Sequence, residues 1–270
     1  MRAILTYHSI DDSGSVISLS PAAFAGHVRW LASGRVRVLS LHQLVDAVLT
    51  DPDGLDDAVA ITFDDGFANF AEHAAPLLLA HGLPAALFVV SDHVGGTNAW
   101  GGRSEAGIPT LPLLDWNVLG ELAASGIEIG GHTRTHRPLE MLASNELTDE
   151  IIGGGDIIMA RLGCFPAAFA YPYGSAPAGA STLVRARFTV GVTTRLGELS
   201  RSDDRALLPR LDAYYLRQPD GLDAWGSARF RAYLRLRAMA RAARERVGRR
   251  RRHPSASDSS NALDVAVGSP

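Results

Sequence analysis

Residues 61–67 read I-T-F-D-D-G-F, and the reading of this stretch decides the fold. It closes an apolar run, Ala58–Phe63, that ends abruptly in two adjacent carboxylates, Asp64 and Asp65, and a glycine; a helical pattern begins just beyond. A short apolar run bounded by turn residues reads as a buried strand. In α/β proteins the ends of such strands carry the chemistry. Two neighbouring carboxylates repel, so a site that keeps both ionised needs positive charge nearby, and a bound divalent metal ion is one answer. The alternative is a polar turn after a buried strand, since Asp and Gly are ordinary turn residues. Ligands elsewhere in the chain would decide between the two.

The same alternation of strand and helix continues on both sides. Upstream, residues 3–7 form an apolar run ending at Tyr7-His8-Ser9. Ser20 and Pro21 open a helix as N-cap and first residue, with Phe24, Val28 and Leu31 at helical spacing. Residues 37–39 make a short strand. Ser40 opens a second helix with Leu41, Leu44, Val45 and Val48 on one face, broken at Asp51-Pro52-Asp53-Gly54. Downstream, the pattern predicts a helix over 68–81, a strand over 85–90, a Gly-rich irregular segment over 92–112, a helix from Asp115 to Ala124, and a strand over 127–129 leading into G-G-H-T-R-T-H, residues 130–136. A structureless segment as long as 92–112 is more often functional than idle. A helix over 145–162 follows, despite three glycines at 153–155 that cost about 1 kcal/mol each relative to alanine. Strands at 167–171, 189–193 and 207–213 complete the series. Strand after strand separated by helices argues for a parallel sheet, and their number for a (β/α) barrel, distorted or incomplete.

At 270 residues and 46% hydrophobic, the chain can bury one substantial core, and barrels of this length fold as a single domain. Residues 1–10 are too quickly polar for a signal peptide, and no apolar run reaches the length of a membrane span, so a cytoplasmic location is expected, with membrane-peripheral association left open. A lone Cys164 permits no internal disulfide and reads as a buried or passive thiol. All 26 basic residues are arginine, unevenly spread: residues 1–228 carry 15 Arg against 26 acidic residues, a net of −11, whereas residues 229–252 carry 11 Arg against one Glu, a net of +10. An Arg-rich helix is expected over 223–247, in a C-terminal segment 218–247, followed by a disordered Ser- and Asp-rich tail over 248–270.

His132 and His136 are four apart, so they share a face on a helical turn and can converge on one ion in a tight loop. Imidazoles with a carboxylate suit Zn²⁺ or a similar divalent metal, and three protein ligands leave a coordination position open. A surface or structural pair is the competing reading. Position favours the site: the Asp pair and the His pair each follow a predicted strand directly, which puts both on one rim.

T-F-D-D-G at 62–66, H-T-x-x-H at 132–136 and Y-P-Y-G at 171–174 resemble, in order and separation, the first three motifs of the polysaccharide deacetylases (NodB homology, carbohydrate esterase family 4). Y-H-S-I at 7–10 and the run from Leu114 to Thr133 resemble the branch with an N-terminal Y-H segment. The resemblance covers roughly residues 1–217 and implies a seven-stranded NodB-like barrel that removes N-acetyl groups from a glycan. It implies that Asp65, His132 and His136 bind a divalent metal, most simply Zn²⁺, that Asp64 is the general base taking a proton from activated water, and that the Tyr173 backbone N–H stabilises the oxyanion.

Two departures from the family pattern matter. The arginine that often opens the third motif, where it orients the catalytic Asp, is replaced by Ala170. Arg210, in L-P-R-L-D-A, is the candidate to supply that guanidinium from a later strand; a surface ion pair is its alternative role. The late L-x-H motif that supplies a general acid is absent. After His136 the only histidine is His253, so His8 is the candidate acid, with a hydrogen bond in the rim as its alternative. His27, His42, His73, His81 and His93 read as solvated or structural, although His93, Trp100 and Trp116 could line a sugar groove.

Three other functions compete. One is hydrolysis of another non-peptide C–N amide on the same scaffold. Another is a non-catalytic carbohydrate-binding relic, for which Asp64→Asn would change nothing measurable. The third concerns the arginines at 229–252, which could contact an anionic membrane or another polyanion, with no specific nucleic-acid recognition expected.

Overall fold

The computed structural model describes residues 1–51, 55–218 and 221–252, with side chains to residue 243. The apolar runs become β1 (Arg2–Tyr7), β2 (Ser9–Ile10), β3 (Ser18–Leu19), β4 (Arg37–Val38), β5 (Ala58–Phe63), β6 (Ala85–Val89), β7 (Glu128–Gly131), β8 (Ala168–Ala170), β9 (Val190–Leu196) and β10 (Leu208–Asp212). Seven of them form one parallel sheet in the order β1-β10-β9-β8-β7-β6-β5. It closes because β1 also pairs with β5 along its whole length, from Arg2 opposite Ala58 to Tyr7 opposite Phe63. The expected incompleteness is therefore one of strand number, seven instead of eight, and not an open seam. β4 adds two residues beside the start of β5, and β2 pairs only with β3. Distortion is local: β8 meets β7 at a single position, and the register of β9 against β10 shifts between Leu208 and Arg210.

Period-two alternation sorts each strand into two cores. Ile4, Ala58, Ala60, Ala86, Ala168, Ala170 and Leu208 point into the barrel, whereas Leu5, Tyr7, Val59, Ile61, Leu87 and Leu211 face the helices. Phe88, Val190 and Val192 join this interior set, and its several alanines suit the narrow space that seven strands enclose. The predicted apolar face of α2 (Leu41–Thr50), Leu41, Leu44, Val45 and Val48, packs against that interior set. Ser20 caps α1 (Pro21–Leu31), and Ser40 with Gln43 forms a capping box on α2.

The remaining helices are α3 (Ala75–Ala80), α4 (Trp116–Ala124), α5 (Ser144–Thr148), α6 (Gly154–Leu162), α7 (Ala178–Arg187) and α8 (Ala228–Arg252). Two expected helices are broken in geometry. Phe70–Ala74 is a π turn before α3, next to Pro76, which cannot donate a backbone bond. Asp149–Gly153 is a π turn between α5 and α6. The C-terminal helix starts later than expected, at Ala228, and runs past Val247 to Arg252; the rest of the expected tail, 253–270, lies outside the described residues, as does the break at 52–54. Cys164 is exposed after the α6 cap Gly163, so it is not the buried thiol of the first alternative. No helix among the described residues is long and apolar enough to cross a membrane.

An ion pair joins α2 to the start of β7. His42 Nε2 lies 2.7 Å from the Glu128 carboxylate, both half-buried. The hydrogen bond to Glu128 raises the His42 pKa and outweighs burial, which lowers it. A raised folded-state pKa means that the pair's contribution is complete below the unfolded histidine value and is lost as pH rises through the folded one. His42→Ala is therefore expected to cost about 0.5–1 kcal/mol at pH 5.5 and close to nothing at pH 9. Urea unfolding at both values checks it, and equal costs would refute it.

Candidate active site and metal centre

Alternation carries past the strand ends and aims the site. On β5 the inward positions Ala58, Ala60 and Thr62 lead to Asp64, whose backbone N–H still donates to the Tyr7 carbonyl at 2.9 Å. On β1, Ile4 and Thr6 lead in the same way to His8. The His132 N–H donates to Val89 O at 3.0 Å and so extends β7. On β10, Leu208 leads to Arg210. Four polar side chains thus arrive at one end of the barrel from four strands.

Arg210 is 1% exposed, which removes the surface ion-pair alternative. It donates Nη1 to Asp64 Oδ1 at 2.7 Å and Nη2 to Asp64 Oδ2 at 2.6 Å, a two-pronged clamp. Its Nε donates to Thr193 O at 2.9 Å and its Nη1 also to Thr62 Oγ1 at 3.2 Å, so the fork is held from behind. Ala170, inward on β8 where the family pattern places an arginine, is one of the small residues lining the interior that this side chain crosses. Burial alone would raise the Asp64 pKa, but the Arg210 charge and hydrogen bonds, with His132 and His8 nearby, hold it below the ordinary value. His8 Nε2 stands 3.8 Å from Asp64 Oδ2, on the carboxylate oxygen that also takes Nη2.

Asp65 faces the other way. Its Oδ1 is buried without a hydrogen-bond partner, yet His132 Nε2 lies 3.4 Å and His136 Nε2 3.3 Å from it. Ligands about 2.0–2.2 Å from a tetrahedral zinc stand roughly 3.3–3.6 Å apart. An orphaned carboxylate oxygen facing two imidazole nitrogens at that spacing fits a divalent cation, and candidate ligand atoms of all three residues lie within 4.8 Å of one another. His132 Nδ1 is 2.8 Å from Ala170 O and His136 Nδ1 is 3.2 Å from Tyr173 Oη. A proton on Nδ1 of His132, donated to that carbonyl, leaves the Nε2 lone pair free for the cation. Burial would raise the Asp65 pKa, but the two imidazoles hold it well below the ordinary value.

The backbone is strained where these side chains are held. Among the described residues the non-glycine positions with positive φ are Asp65 (73°), Thr133 (67°), His136 (61°) and Tyr173 (56°), all at the site. Each such residue costs on the order of 1–3 kcal/mol and persists only where its surroundings impose it. For the histidine loop the imposing group is Glu150. This buried carboxylate accepts from the Arg134 N–H at 3.1 Å, the Thr135 N–H at 2.9 Å and the Thr135 hydroxyl. Arg134 in turn bridges Asp92 and Asp149. Of the three glycines that weakened the helix in the sequence, Gly154 lets it approach the loop backbone: a Cβ there would stand 3.0 Å from the Thr133 carbonyl carbon and 3.2 Å from the Arg134 nitrogen, whereas Gly155 makes room for the Phe165 ring. Gly154→Ala, which improves an ordinary helix, is therefore expected to destabilise by about 1–3 kcal/mol and to weaken zinc binding. Thermal melts with and without zinc, and titration against a chromophoric chelator, check this; a variant as stable and as tight as the parent would refute it.

Trp100, in the Gly-rich segment, stacks on His136 at 4.5 Å between centroids and meets His93 edge-on at 4.9 Å. Tyr173 meets His136 edge-on at 4.8 Å and is 48% exposed, with burial pushing its hydroxyl up to about 12. Trp116 is not at the rim. It packs on the core from α4 beneath Arg161. His27 is a buried structural histidine between Tyr7 Oη and Leu216 O. Glu150 carried no sequence signal of its own; the glycines opposite the H-T-x-x-H loop were the nearest one.

The family model for polysaccharide deacetylase matches residues 51–189. YxkH of Bacillus subtilis (strain 168), provisionally named a polysaccharide deacetylase, is 26% identical over 211 residues, covering 77% of this chain and 70% of its own. Among solved structures, the Streptococcus pyogenes deacetylase PplD in complex with acetate superposes with a TM-score of 0.68 at 22% identity, over 82% of this chain and 95% of that one. IcaB from Ammonifex degensii superposes with a TM-score of 0.69 at 24% identity, over 84% and 97%. At these identities the structural likeness establishes the fold.

Proposed function

This chain belongs to the polysaccharide deacetylase family and is a hydrolase of carbon–nitrogen bonds, and from that premise we propose that it removes N-acetyl groups from a glycan or glycoconjugate with the help of a divalent metal ion, Zn²⁺ suiting the ligands best. The observation that carries the reading is the division of the carboxylate pair. Asp64 is clamped by Arg210 and faces His8, while Asp65 turns an unpartnered oxygen to His132 and His136.

Asp65, His132 and His136 would hold the cation. When bound there it supplies Lewis acidity, which acidifies water and polarises a carbonyl. The protein's own groups do the rest. Asp64, ionised and aimed by Arg210, accepts a proton from the attacking water. The backbone N–H of Tyr173 is assigned to the developing oxyanion, where one such donor is typically worth about 3–4 kcal/mol. His8, beside Asp64, gives a proton to the departing amine. The water's oxygen ends in acetate, the C–N bond breaks, and the sugar keeps a free amine. The aromatic walls at Trp100 and Tyr173 suit the face of a sugar ring.

The test is acetate release by the zinc-loaded protein from a panel of N-acetylglucosamine oligomers, set beside small acetamides. The reading expects acetate and free amine in equal amounts from the oligomers, and none after chelation. Turnover confined to the small amides would overturn it in favour of another C–N substrate.

A further inference from the structure

The C-terminal helix offers a surface that the catalytic reading does not use. One face of α8 docks: Phe230 and Leu234 enter the core and the Tyr233 hydroxyl donates to Tyr215 O at 3.1 Å. The docked part runs up the barrel wall. Arg231 pairs with Glu198, whose neighbour Leu199 donates to Arg2 O at the amino-terminal end of β1. Arg241 lies 4.0 Å from Asp212, the last residue of β10, which sits opposite Thr6 just below His8. Ten helical residues span about 15 Å and the six of β1 about 17 Å, so the two ends agree. The helix continues past Arg241 to Arg252, beyond the end of the barrel where Asp64 and His8 lie.

On the undocked face Leu236 and Met239, three apart, are 67% and 69% exposed beside exposed Arg229 and Arg235. Residues 229–252 carry a net +10, against −11 for residues 1–228. The acidic domain repels an anionic partner, so attraction has to come through this helix.

We propose that the undocked face of α8 docks the protein on an anionic lipid surface, with the barrel wall beneath α8 laid along that surface. Lipid is favoured over nucleic acid because Leu236 and Met239 stand among the arginines, an arrangement that buries apolar side chains at a headgroup boundary while guanidinium groups meet anionic headgroups. Phosphate backbones would ask only for the charge.

Sedimentation of the full chain with vesicles of phosphatidylcholine containing about 30% phosphatidylserine, and with phosphatidylcholine alone, tests this at roughly 50 mM and 500 mM salt. Binding is expected to the phosphatidylserine vesicles only and to fall at least tenfold at high salt. The neutral double variant Leu236→Ser, Met239→Ser, which spares Phe230 and Leu234, is expected to weaken it several-fold at low salt. No binding to the anionic vesicles overturns the proposal. So does binding untouched by the double variant and fully competed by duplex DNA, which would mark a general polyanion contact. Neither outcome bears on the hydrolase reading, since no turnover is measured.

Discussion

Asp64→Asn is expected to lower acetate release by roughly 10²–10⁴-fold, the usual worth of a positioned general base. The amide cannot take the proton, while Asp65, His132 and His136 are untouched, so zinc should still bind one per chain. The substitution also points an N–H at Arg210, whose two donors now meet a single acceptor, and some stability is lost with it. A melting transition above the assay temperature, with zinc retained, separates lost chemistry from lost fold. A variant that keeps parental turnover would show that Asp64 is not the general base.

Arg210→Met is the second large effect. It strands the Asp64 carboxylate in the barrel without its guanidinium, and breaking a buried pair in this way costs about 3–5 kcal/mol. Asp64 then relieves itself by holding a proton, which also removes the base, so activity and stability fall together. The double variant with Asp64→Asn should recover much of the stability and none of the activity, because the uncompensated charge is gone. Urea unfolding of the two singles and the double measures the coupling. A cost below about 1 kcal/mol for Arg210→Met would show that the clamp does not hold the carboxylate.

What the sequence made legible is the part governed by local pattern. The run Ala58–Phe63 read as a buried strand ending at the Asp pair, but because it is apolar on both faces its sequence did not show that Asp64 shares the inward parity of Ala58, Ala60 and Thr62. His132 and His136 fell after another strand, and their convergence followed from spacing and rim position. Arg210 was legible as a charge out of place in an apolar strand; its parity with Leu208 is what turns it inward. Less visible were the features made by tertiary approach. Glu150 looks like any helix carboxylate until Gly154 lets α6 press against Thr133. Trp100 and Trp116 were equal candidates for the groove, and only the path of the Gly-rich segment puts the first on His136 and leaves the second packed against the core. The π turns were illegible because apolar periodicity barely registers one extra residue in a turn.

The central claim is that two adjacent carboxylates do different work, and it is tested most directly by measuring zinc content and acetate release together in Asp64→Asn and Asp65→Asn. The account predicts that the first keeps its zinc and loses its turnover, and that the second loses both. Zinc lost from Asp64→Asn, or zinc and turnover both kept in Asp65→Asn, would contradict it.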